Sequence, residues 1–562
     1  MNRQYYLPAT LLIVLLSTTA SAQSLMEYKD EGESLSPSET RYEQIHFNSE
    51  NRMLRTLFAH PTMEHLIAKD SMLFGAHARR NYVGVNYAEA TLPHDFHPFE
   101  GNGFQNYSVN ASGVIHKAKL GTLYGSAEYA RGMDEGIGWS AIRHYDTYAP
   151  YLSSDSIGGD NSWEMYALKG GYAFTLDSRW TLGAQFSYKG EQAYRLTDPR
   201  LLNTTSWVNL DLSAAYAISS KQQLLLTVGY ERNKQYMTER YWMPGLQERF
   251  FHAYGFGMYN DMYSRVSFGY SRMYYLQGVD ARAAYIHRFN DHSRLTASMG
   301  FYHNEMKTEE TSILNLYRST TTEVTPSVEY SLKRGNFALL INAEAKLRLR
   351  TGYENIYDQV IIDKPNNIYD YRLLSTRQHY NAANTEGLIQ AKPSYTIGKA
   401  HTLAAIVGSH YFLREEEYKA KTHHVVNQWI EPHLGLGYRY QKGTSSLDLS
   451  LLYSHKLPTK NTYKVNLVTT KKIEYLDFQH AFSPYAFYAN EYDALRLNAC
   501  YMHAFKPFSV GLRAEVMLRN GDRLEDVSYD GTIGFESTAP SISRTPDAYI
   551  ERWGKVSLFV MF

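Results

Sequence analysis

The sequence contains two short stretches whose residue types could bind a metal ion. Nitrogen and oxygen ligands of this kind hold zinc or calcium when the fold brings several of them together. The first stretch has two histidines and an aspartate, and the second has three aspartates at regular spacing: His94, Asp95 and His97; Asp522, Asp526 and Asp530. Solvated polar loops have this composition far more often, so we predict no metal site at either stretch.

Histidine is abundant, with 21 copies, but no linear catalytic motif accompanies it. The adjacent residues His423 and His424 should face opposite ways on a strand, which argues against a shared metal ion. Nucleophile, zinc-protease and phosphate-binding signatures are missing from the sequence. We therefore predict no enzyme activity and no cofactor. The alternative is a membrane-embedded hydrolase assembled from side chains of neighbouring strands.

Basic residues at alternating positions form the most informative charged pattern. Seven of them are predicted to point inward from their strands: Lys346, Arg348, Arg350, Arg439, Arg496, Arg513 and Arg519. If these strands enclose a lumen, the resulting basic stripe would favour anionic solutes. The alternative is that these residues form ion pairs with acids such as Glu344, Glu431 and Glu515 and thereby brace the wall.

The strands that would position these residues have a strict two-residue periodicity, which begins near residue 80 and continues to the end of the chain. In residues 508–518, Leu512 and Val516 point one way while Arg513 and Glu515 point the other. Alternation with one apolar face indicates a β-strand whose two sides meet different surroundings. The predicted fold class is therefore all-β.

Strand length separates two kinds of all-β protein. Soluble β-sandwiches usually have strands of about five or six residues, whereas the alternating segments here run for about ten to fifteen. A tilted strand of about thirteen residues projects to roughly 33 Å, enough to cross the apolar band of an outer-membrane barrel. The 14% aromatic content, with 49 Tyr, suits aromatic girdles at the two membrane surfaces.

Turn residues divide the chain into hairpins with connections of alternating length. Short turns are predicted at residues 117–119, 177–178, 219–221, 290–293, 333–335, 398–400, 442–444 and 506–507. Long loops are predicted at residues 132–161, 233–249, 307–322, 351–384, 456–484 and 520–547. We predict a transmembrane antiparallel barrel of about 18 strands, within a range of about 16–20, with both ends in the periplasm. Residues 250–276 form either a further hairpin or a folded loop.

The first 74 residues depart from the barrel pattern. Arg3, an apolar run at residues 7–16 and small residues at 20–22 predict a signal peptide over residues 1–22, cleaved near Ala22/Gln23. Apolar residues at helical spacing, among them Met63 and Leu66, predict a partly helical N-terminal extension over residues 23–74. We expect this extension to plug the barrel of residues 75–562, and a position in the periplasm is the alternative.

The final strand places Val556, Leu558, Val560 and Phe562 on one face. An alternating last strand that ends in Phe resembles the insertion signal of barrels built by the outer-membrane assembly machinery. With the signal peptide, the helical lead-in and the Tyr-rich strands, residues 75–562 resemble uncharacterised outer-membrane barrels of Bacteroidota type that carry only a domain-of-unknown-function label. The architecture is also similar to that of fatty-acid transporters with an N-terminal hatch. No functional residue is carried over, because none of these features is catalytic.

These observations predict a protein of the outer membrane of a Gram-negative bacterium. Its predicted partners are membrane lipid and, during insertion, the barrel assembly machinery, and a net charge of +0 argues against nucleic acid. The leading functional prediction is passage, uptake or surface binding of an unidentified solute. A surface or assembly component that binds another protein without transporting anything is the second prediction, and the hydrolase is the third.

Overall fold

The computed structural model describes residues 60–69, 81–92, 99, 101–243, 250–256, 258–260, 270–310, 314–363, 365, 368–421, 423–464, 485, 487–521, 529–530 and 548–562. Within these ranges the strands are β1 (Tyr82–Thr91), β2 (Gly103–Lys117), β3 (Gly121–Ile137), β4 (Tyr151–Asp155), β5 (Gly159–Thr175), β6 (Trp180–Tyr194), β7 (Arg200–Ser219), β8 (Gln222–Arg240), β9 (Phe250–Tyr254), β10 (Tyr259–Asn260), β11 (Tyr270–Asn290), β12 (Ser293–Glu310), β13 (Tyr317–Arg334), β14 (Phe337–Asp363), β15 (Ile368–Ile397), β16 (His401–Tyr418), β17 (His423–Lys442), β18 (Ser445–Lys464), β19 (Tyr492–Ala504), β20 (Ser509–Gly521), β21 (Tyr529–Asp530) and β22 (Tyr549–Met561). The helical elements are α1 (Met63–Lys69), α2 (Tyr145–Tyr148) and a 3₁₀ turn at Lys419–Lys421. No helix in the described ranges is long and apolar enough to cross a membrane.

Eighteen of the strands form a closed antiparallel barrel. Strands β4, β9, β10 and β21 are not part of the barrel wall. Each of the remaining strands pairs with the wall strand that follows it in the chain. The barrel closes where β1 pairs with β22, from Tyr82 opposite Met561 to Thr91 opposite Arg552. Closure leaves no open sheet edge, which lipid requires because it offers the backbone no hydrogen-bond partners. The all-β barrel of about 18 strands predicted from the sequence is confirmed.

The two faces of the wall differ as the alternation predicts. On β20, Leu512 and Val516 are 51% and 44% exposed on the outer face, whereas Glu515 on the inner face is only 3% exposed. The same holds on β7, where Leu210 and Leu212 are exposed and Asp211 is buried. An outer face covered with large apolar side chains is suited to lipid rather than to water. The fold is therefore an outer-membrane-type β-barrel.

The connections define two ends of the barrel. Tight turns, such as those between β7 and β8 and between β17 and β18, lie at the end where β1 begins and β22 finishes. We call this the short-turn end, and the opposite end the long-loop end. The short turns predicted from the sequence all fall between paired strands at the short-turn end. Both ends of the wall therefore lie on one side of the membrane.

Several predicted long loops are in fact partly strand. The loop predicted at residues 307–322 is shorter, because β12 ends at Glu310 and β13 begins at Tyr317. The stretch 351–384 is mostly the continuation of β14 and β15, which pair as far as Asp363 opposite Ile368. Beyond the apolar band both faces of a strand can be polar, so such strands lose the alternation that marks them in a sequence.

Within residues 250–276, the described residues 250–256 and 258–260 belong to a small sheet separate from the wall rather than to a further wall hairpin, and residues 270–276 belong to a wall strand. Strand β9 pairs with β4, from Tyr151 opposite Tyr254 to Asp155 opposite Phe250, and β10 pairs with β9. The wall resumes with β11 at Tyr270. This small sheet joins two loops of the long-loop end to each other.

The assignment of the two faces leads to a stability prediction. We expect Leu512→Arg to lower the free energy of unfolding by about 2–4 kcal/mol, because it places a cation in the apolar part of the bilayer. The matched change Ser450→Arg, on the inward-facing side of β18 opposite Gly437, should cost less than about 1 kcal/mol. Urea unfolding in lipid vesicles measures both values. Equal losses for the two variants would contradict the assignment.

A capped and charged lumen as the candidate functional site

The loop between β3 and β5, residues 138–158, folds into the lumen at the long-loop end. It carries α2 and β4, and it packs Tyr148 and Tyr151, both fully buried, against inward-facing side chains of the wall. Tyr148 lies 4.6 Å from Tyr274 between ring centroids, and Tyr151 stacks on Tyr317 at the same distance. Rings packed in this way contribute attraction beyond the apolar area that they bury. The loop is therefore an internal lid rather than a surface loop.

Two further segments complete this lid on the opposite side of the lumen. Phe256 and Met258 pack against Tyr380 and Tyr418 of β15 and β16, and Tyr485, Phe487 and Ala489 join the same apolar cluster. Together, residues 138–158, 250–256, 258, 485 and 487–490 form what we call the inner cap. It covers the inner wall from β5 round to β20.

Arg143 anchors the first segment of the inner cap to two wall strands. Its guanidinium donates to Asp134 of β3 and, over 2.5 Å, to Oε1 of Glu191 on β6. Burial alone would lower the pKa of Arg143, but the two carboxylates raise it overall, so the residue is a permanent cation. Its guanidinium also lies 4.7 Å from the centre of the Trp163 ring. A buried cation between two carboxylates is a specific attachment point.

His144 accompanies Arg143 as a neutral residue. Its Nε2 lies 2.7 Å from Oε2 of Glu191. Burial lowers the pKa of His144, although the Glu191 carboxylate opposes this. The neutral ring can donate one hydrogen bond to Glu191 without adding a second buried cation.

Further polar contacts hold the rest of the same segment. Asp155 pairs with the fully buried Arg195 at 3.2 Å. Arg350 of β14 donates to the backbone carbonyls of Asp146 and Ala149 at 2.9 and 3.1 Å, at the end of α2. The contacts are charged or polar side chains on backbone and carboxylate groups, and β4 does not pair with any wall strand. The first segment can therefore separate from the wall without breaking a wall ladder.

The end of the N-terminal extension lies against the inner wall near the short-turn end. Met63, Leu66 and Ile67 of α1 pack on Leu225 and Ile286. Hydrogen bonds join the same segment to wall hydroxyls: Thr62 to Ser213, His65 to Thr122 and Thr175, and His60 to Thr227. The helix predicted around Met63 and Leu66 is present, whereas residues 23–59 and 70–74 of the predicted extension lie outside the described residues.

His60 makes the attachment of this segment sensitive to acid. Burial, helped by the charge of Arg282, lowers the pKa of His60 to about 3. A released His60 would titrate near its ordinary value of 6.5, so the released state binds more protons at low pH. Docking should be intact above about pH 6.5 and should weaken by up to about 1.4 kcal/mol per pH unit between about pH 6 and pH 3.

A spin label at Ala68→Cys, in a Cys500→Ser chain, reports this release as increased mobility when the pH falls from 7 to 4. Ala68 is an exposed residue of α1, so the label should not disturb packing. The same label in a His60→Asn chain is the control, and its mobility should change much less with pH. Identical pH profiles in the two chains would contradict the role of His60.

Between α1 and the inner cap, charged side chains line the wall. Arg282 forms an ion pair with Asp280 at 2.8 Å and a second ion pair with Asp211. Glu231 accepts hydrogen bonds from Trp207 and, over 2.7 Å, from Tyr302. Several of these side chains are only partly buried, so the inner cap and α1 leave space between them. That space has a polar lining with both signs of charge.

The seven basic residues predicted to form a stripe lie on four strands and face inward. On β14, Lys346 and Arg348 both pair with Glu323, at 3.5 and 2.5 Å, and Arg350 also donates to Thr321. The pairs on β17, β19 and β20 are Arg439 with Asp448, Arg496 with Glu515 and Arg519 with Glu551, at 2.5, 2.9 and 2.5 Å. Arg513 lies opposite Cys500 of β19. These contacts are of the kind that the bracing alternative requires.

Most of these acidic partners were not found from the sequence. One signal was available: Arg439 and Asp448 are symmetrically placed about the turn after Lys442, so hairpin register alone sets them opposite each other. Arg519 and Glu551 are also opposite, but they flank the loop predicted at residues 520–547, and a connection of that length does not set the register of its strands. No pattern in the sequence indicated the inner cap, because its residues contact strands far away in the chain.

The candidate metal-binding residues are not brought together in the described part of the chain. His94, Asp95, His97, Asp522 and Asp526 lie outside it, and nothing is described of the side chain of Asp530. His423 is fully buried and faces Phe256 in the lumen, whereas His424 pairs with Glu415 on the other face. No group of three or more suitable ligands occurs among the residues that could be searched.

Comparison with known proteins gives a family and a distant likeness of fold. The ferric preacinetobactin receptor BauA from Acinetobacter baumannii is 8% identical, with 86% of this chain and 80% of that chain covered and a TM-score of 0.34. The copper transporter OprC is 12% identical, with 86% and 80% covered and a TM-score of 0.38. A FadL homologue from Pseudomonas aeruginosa is 11% identical, with 90% and 93% covered and a TM-score of 0.33. Likeness at this level carries no argument about function.

Comparison at the level of sequence assigns the chain to a family. No curated protein matches the chain. The model of a family described as "Family of unknown function (DUF6850)" matches residues 75–537. These residues include nearly the whole barrel wall and the inner cap. The chain therefore belongs to the DUF6850 family of unknown function.

Proposed function

We propose that this protein carries a small polar solute across the outer membrane through its lumen, and that the first segment of the inner cap must move for the solute to pass. The observation that carries the proposal is the polar, partly exposed lining between the inner cap and α1. A barrel that served only as a scaffold would not need such a lining. Because Arg282, Asp280 and Glu231 offer both signs of charge, the lining suits a solute with several hydrogen-bonding groups.

Proteoliposomes test this proposal through the rate at which solutes enter. Vesicles containing the intact protein should admit a neutral disaccharide, a zwitterionic amino acid or a dicarboxylate faster than empty vesicles, and should exclude a large dextran. Comparison among the three small solutes shows which charge the lumen prefers. Entry rates equal to those of empty vesicles for every solute, with the protein shown to be folded, would contradict transport.

A second function is favoured by the hairpin that β14 and β15 form beyond the wall. Above Glu354 and Tyr380 these strands pair only with each other among the described residues, and Ile361, Ile362 and Leu374 are more than half exposed there. Exposed apolar residues on a projecting hairpin suit the binding of another protein. Cross-linking in intact cells, with and without residues 356–375, tests this alternative. A screen for lipid and peptide hydrolysis tests the hydrolase prediction separately.

We also propose that residues 1–22 are a signal peptide, that the protein resides in the outer membrane of a Gram-negative bacterium, and that Phe562 is part of the insertion signal. Phe562 lies at the barrel seam, where its N–H donates to the carbonyl of Asn81 over 2.8 Å. Deleting Phe562 should reduce the folded protein in the outer membrane several-fold while export stays normal. Phe562→Tyr, which keeps an aromatic ring, is the matched control. Normal outer-membrane levels after the deletion would contradict this role.

A further inference from the structure

The outer face of the wall carries a groove near the long-loop end, where β18, β19, β20 and β22 lie side by side. Its volume is about 580 Å³, and its floor and sides include Leu495, Leu518 and Ile550. All three apolar side chains are between 43% and 60% exposed. The groove therefore faces the lipid, and it is large enough for parts of acyl chains.

Arg552 is the exposed arginine at the edge of this groove, whereas Arg519, the other arginine of its lining, is buried and paired with Glu551. Arg552 points outward from β22, opposite Leu518 on one side and Thr91 on the other. It is exposed and makes no ion pair with any of the described residues. The nearby outward carboxylates are engaged elsewhere: Glu89 accepts from Tyr87 at 2.6 Å, and Asp493 lies 2.9 Å from Nδ1 of His455.

The height of Arg552 in the wall identifies its surroundings. Arg552 lies nine positions before Met561 at the short-turn end, which corresponds to about 23 Å along the membrane normal for a strand tilted by about 40°. The apolar band of such barrels is about 25 Å tall. Below Arg552 the outer face of β22 carries Val556 and Leu558, so the guanidinium stands where acyl chains end and headgroups begin.

We propose that this groove is a binding site for a phosphorylated, acylated lipid of the outer leaflet, with a phosphate on Arg552 and an acyl chain that runs from Leu495 and Leu518 toward Val556 and Leu558. Guanidinium groups bind phosphate through paired hydrogen bonds, and the surrounding lipid strengthens that attraction. The apolar lining excludes free phosphate as a sufficient ligand, because it needs a chain to cover it. The inference rests on a location in the outer membrane and not on transport.

Native mass spectrometry of the purified protein in mild detergent tests the site, with bisphosphorylated lipid A as the probe. One molecule of lipid A should bind, and Arg552→Gln should weaken its binding at least tenfold. The matched control is Arg232→Gln, which removes an outward, exposed arginine at a similar height on β8. Leu518→Trp, which fills the groove and leaves Arg552 in place, should also weaken binding. Dephosphorylated lipid A should bind poorly, and inorganic phosphate should not compete.

Three results would overturn the proposal. Unchanged binding by Arg552→Gln, or an equal loss in Arg232→Gln, would show that the arginine is not a specific contact. Full binding of dephosphorylated lipid would show that phosphate is not recognised. Unchanged binding by Leu518→Trp, or competition by inorganic phosphate, would show that the groove does not hold the chain. Heat-modifiable migration in gels confirms that each variant is a folded barrel.

Discussion

A chain that lacks residues 23–74, and in which residues 140–156 are replaced by a short turn, should conduct ions as a wide and steady pore. Barrels of sixteen to eighteen strands leave an aqueous channel when nothing fills them. Here α1 occupies the lumen near the short-turn end and the inner cap covers it at the long-loop end. Removing β4 also deprives β9 of one of its two partner strands, so the second segment of the inner cap loses support.

Either deletion alone should leave most of the block in place, because the two obstructions lie at different heights. Single-channel recordings in planar bilayers compare the intact chain with the two single deletions and the double deletion. The increase in conductance caused by the double deletion should exceed the sum of the increases caused by the two single deletions by several-fold. Full conductance after removal of residues 23–74 alone would show that the inner cap does not close the lumen.

The same recordings under a salt gradient measure ion preference. Because stripe residues such as Arg348, Arg439 and Arg496 lie against carboxylates, we expect a weak preference. Arg348→Glu combined with Arg513→Glu should then shift it modestly. A strong anion preference that this double substitution reverses would favour the basic stripe over the bracing alternative.

Arg143→Gln should release the first segment of the inner cap without unfolding the barrel. The substitution removes the cation from between the buried carboxylates of Asp134 and Glu191, of which Glu191 keeps Lys189 at 3.7 Å, and breaking one side of a buried ion pair typically costs about 3–5 kcal/mol. The loss falls on the docking of the segment, because the wall ladders of β3 and β6 do not depend on Arg143. Solute entry into proteoliposomes should rise accordingly.

Labelling of Ala141→Cys by a maleimide, in a Cys500→Ser chain, measures the release directly. Ala141 is 1% exposed in the docked segment, so labelling requires undocking. A cost of about 3 kcal/mol corresponds to an increase in labelling rate of about a hundredfold. Arg200→Gln is the control, since Arg200 pairs with Asp198 at the exposed surface, where ion pairs contribute less than about 1 kcal/mol. Equal rates in the two variants would contradict an anchoring role for Arg143.

The wall could be predicted from the sequence because each strand carries its own evidence. Alternation at Leu512 and Glu515 depends only on which face meets lipid, and short turns set the register of the flanking strands. The strand ends beyond the membrane could not be predicted, because the alternation disappears where no face of the strand meets lipid. Between β14 and β15 the chain keeps pairing where no apolar face remains to mark it.

The inner cap could not be predicted because its evidence is divided between distant parts of the chain. The anchoring role of Arg143 is evident only from its contact with Glu191, and that of Tyr151 only from its contact with Tyr317. Neither partner lies at a distance set by a turn or a repeat. A polar loop that folds inward therefore has the same local composition as one that extends into water. Only the arrangement of the strands distinguishes the two.

The seam between β1 and β22 also sets the order in which the barrel can be built. Every other wall contact joins strands that follow one another in the chain, so these hairpins can form as the chain becomes available. The seam joins the first strand to the last, and at ten residues β1 is the shortest strand of the wall. Before the seam closes, the sheet has two edge strands whose backbone N–H and C=O groups are unpaired along one side. An unfinished chain is therefore an open sheet that needs shielding, and it becomes a self-sufficient cylinder only with its final strand.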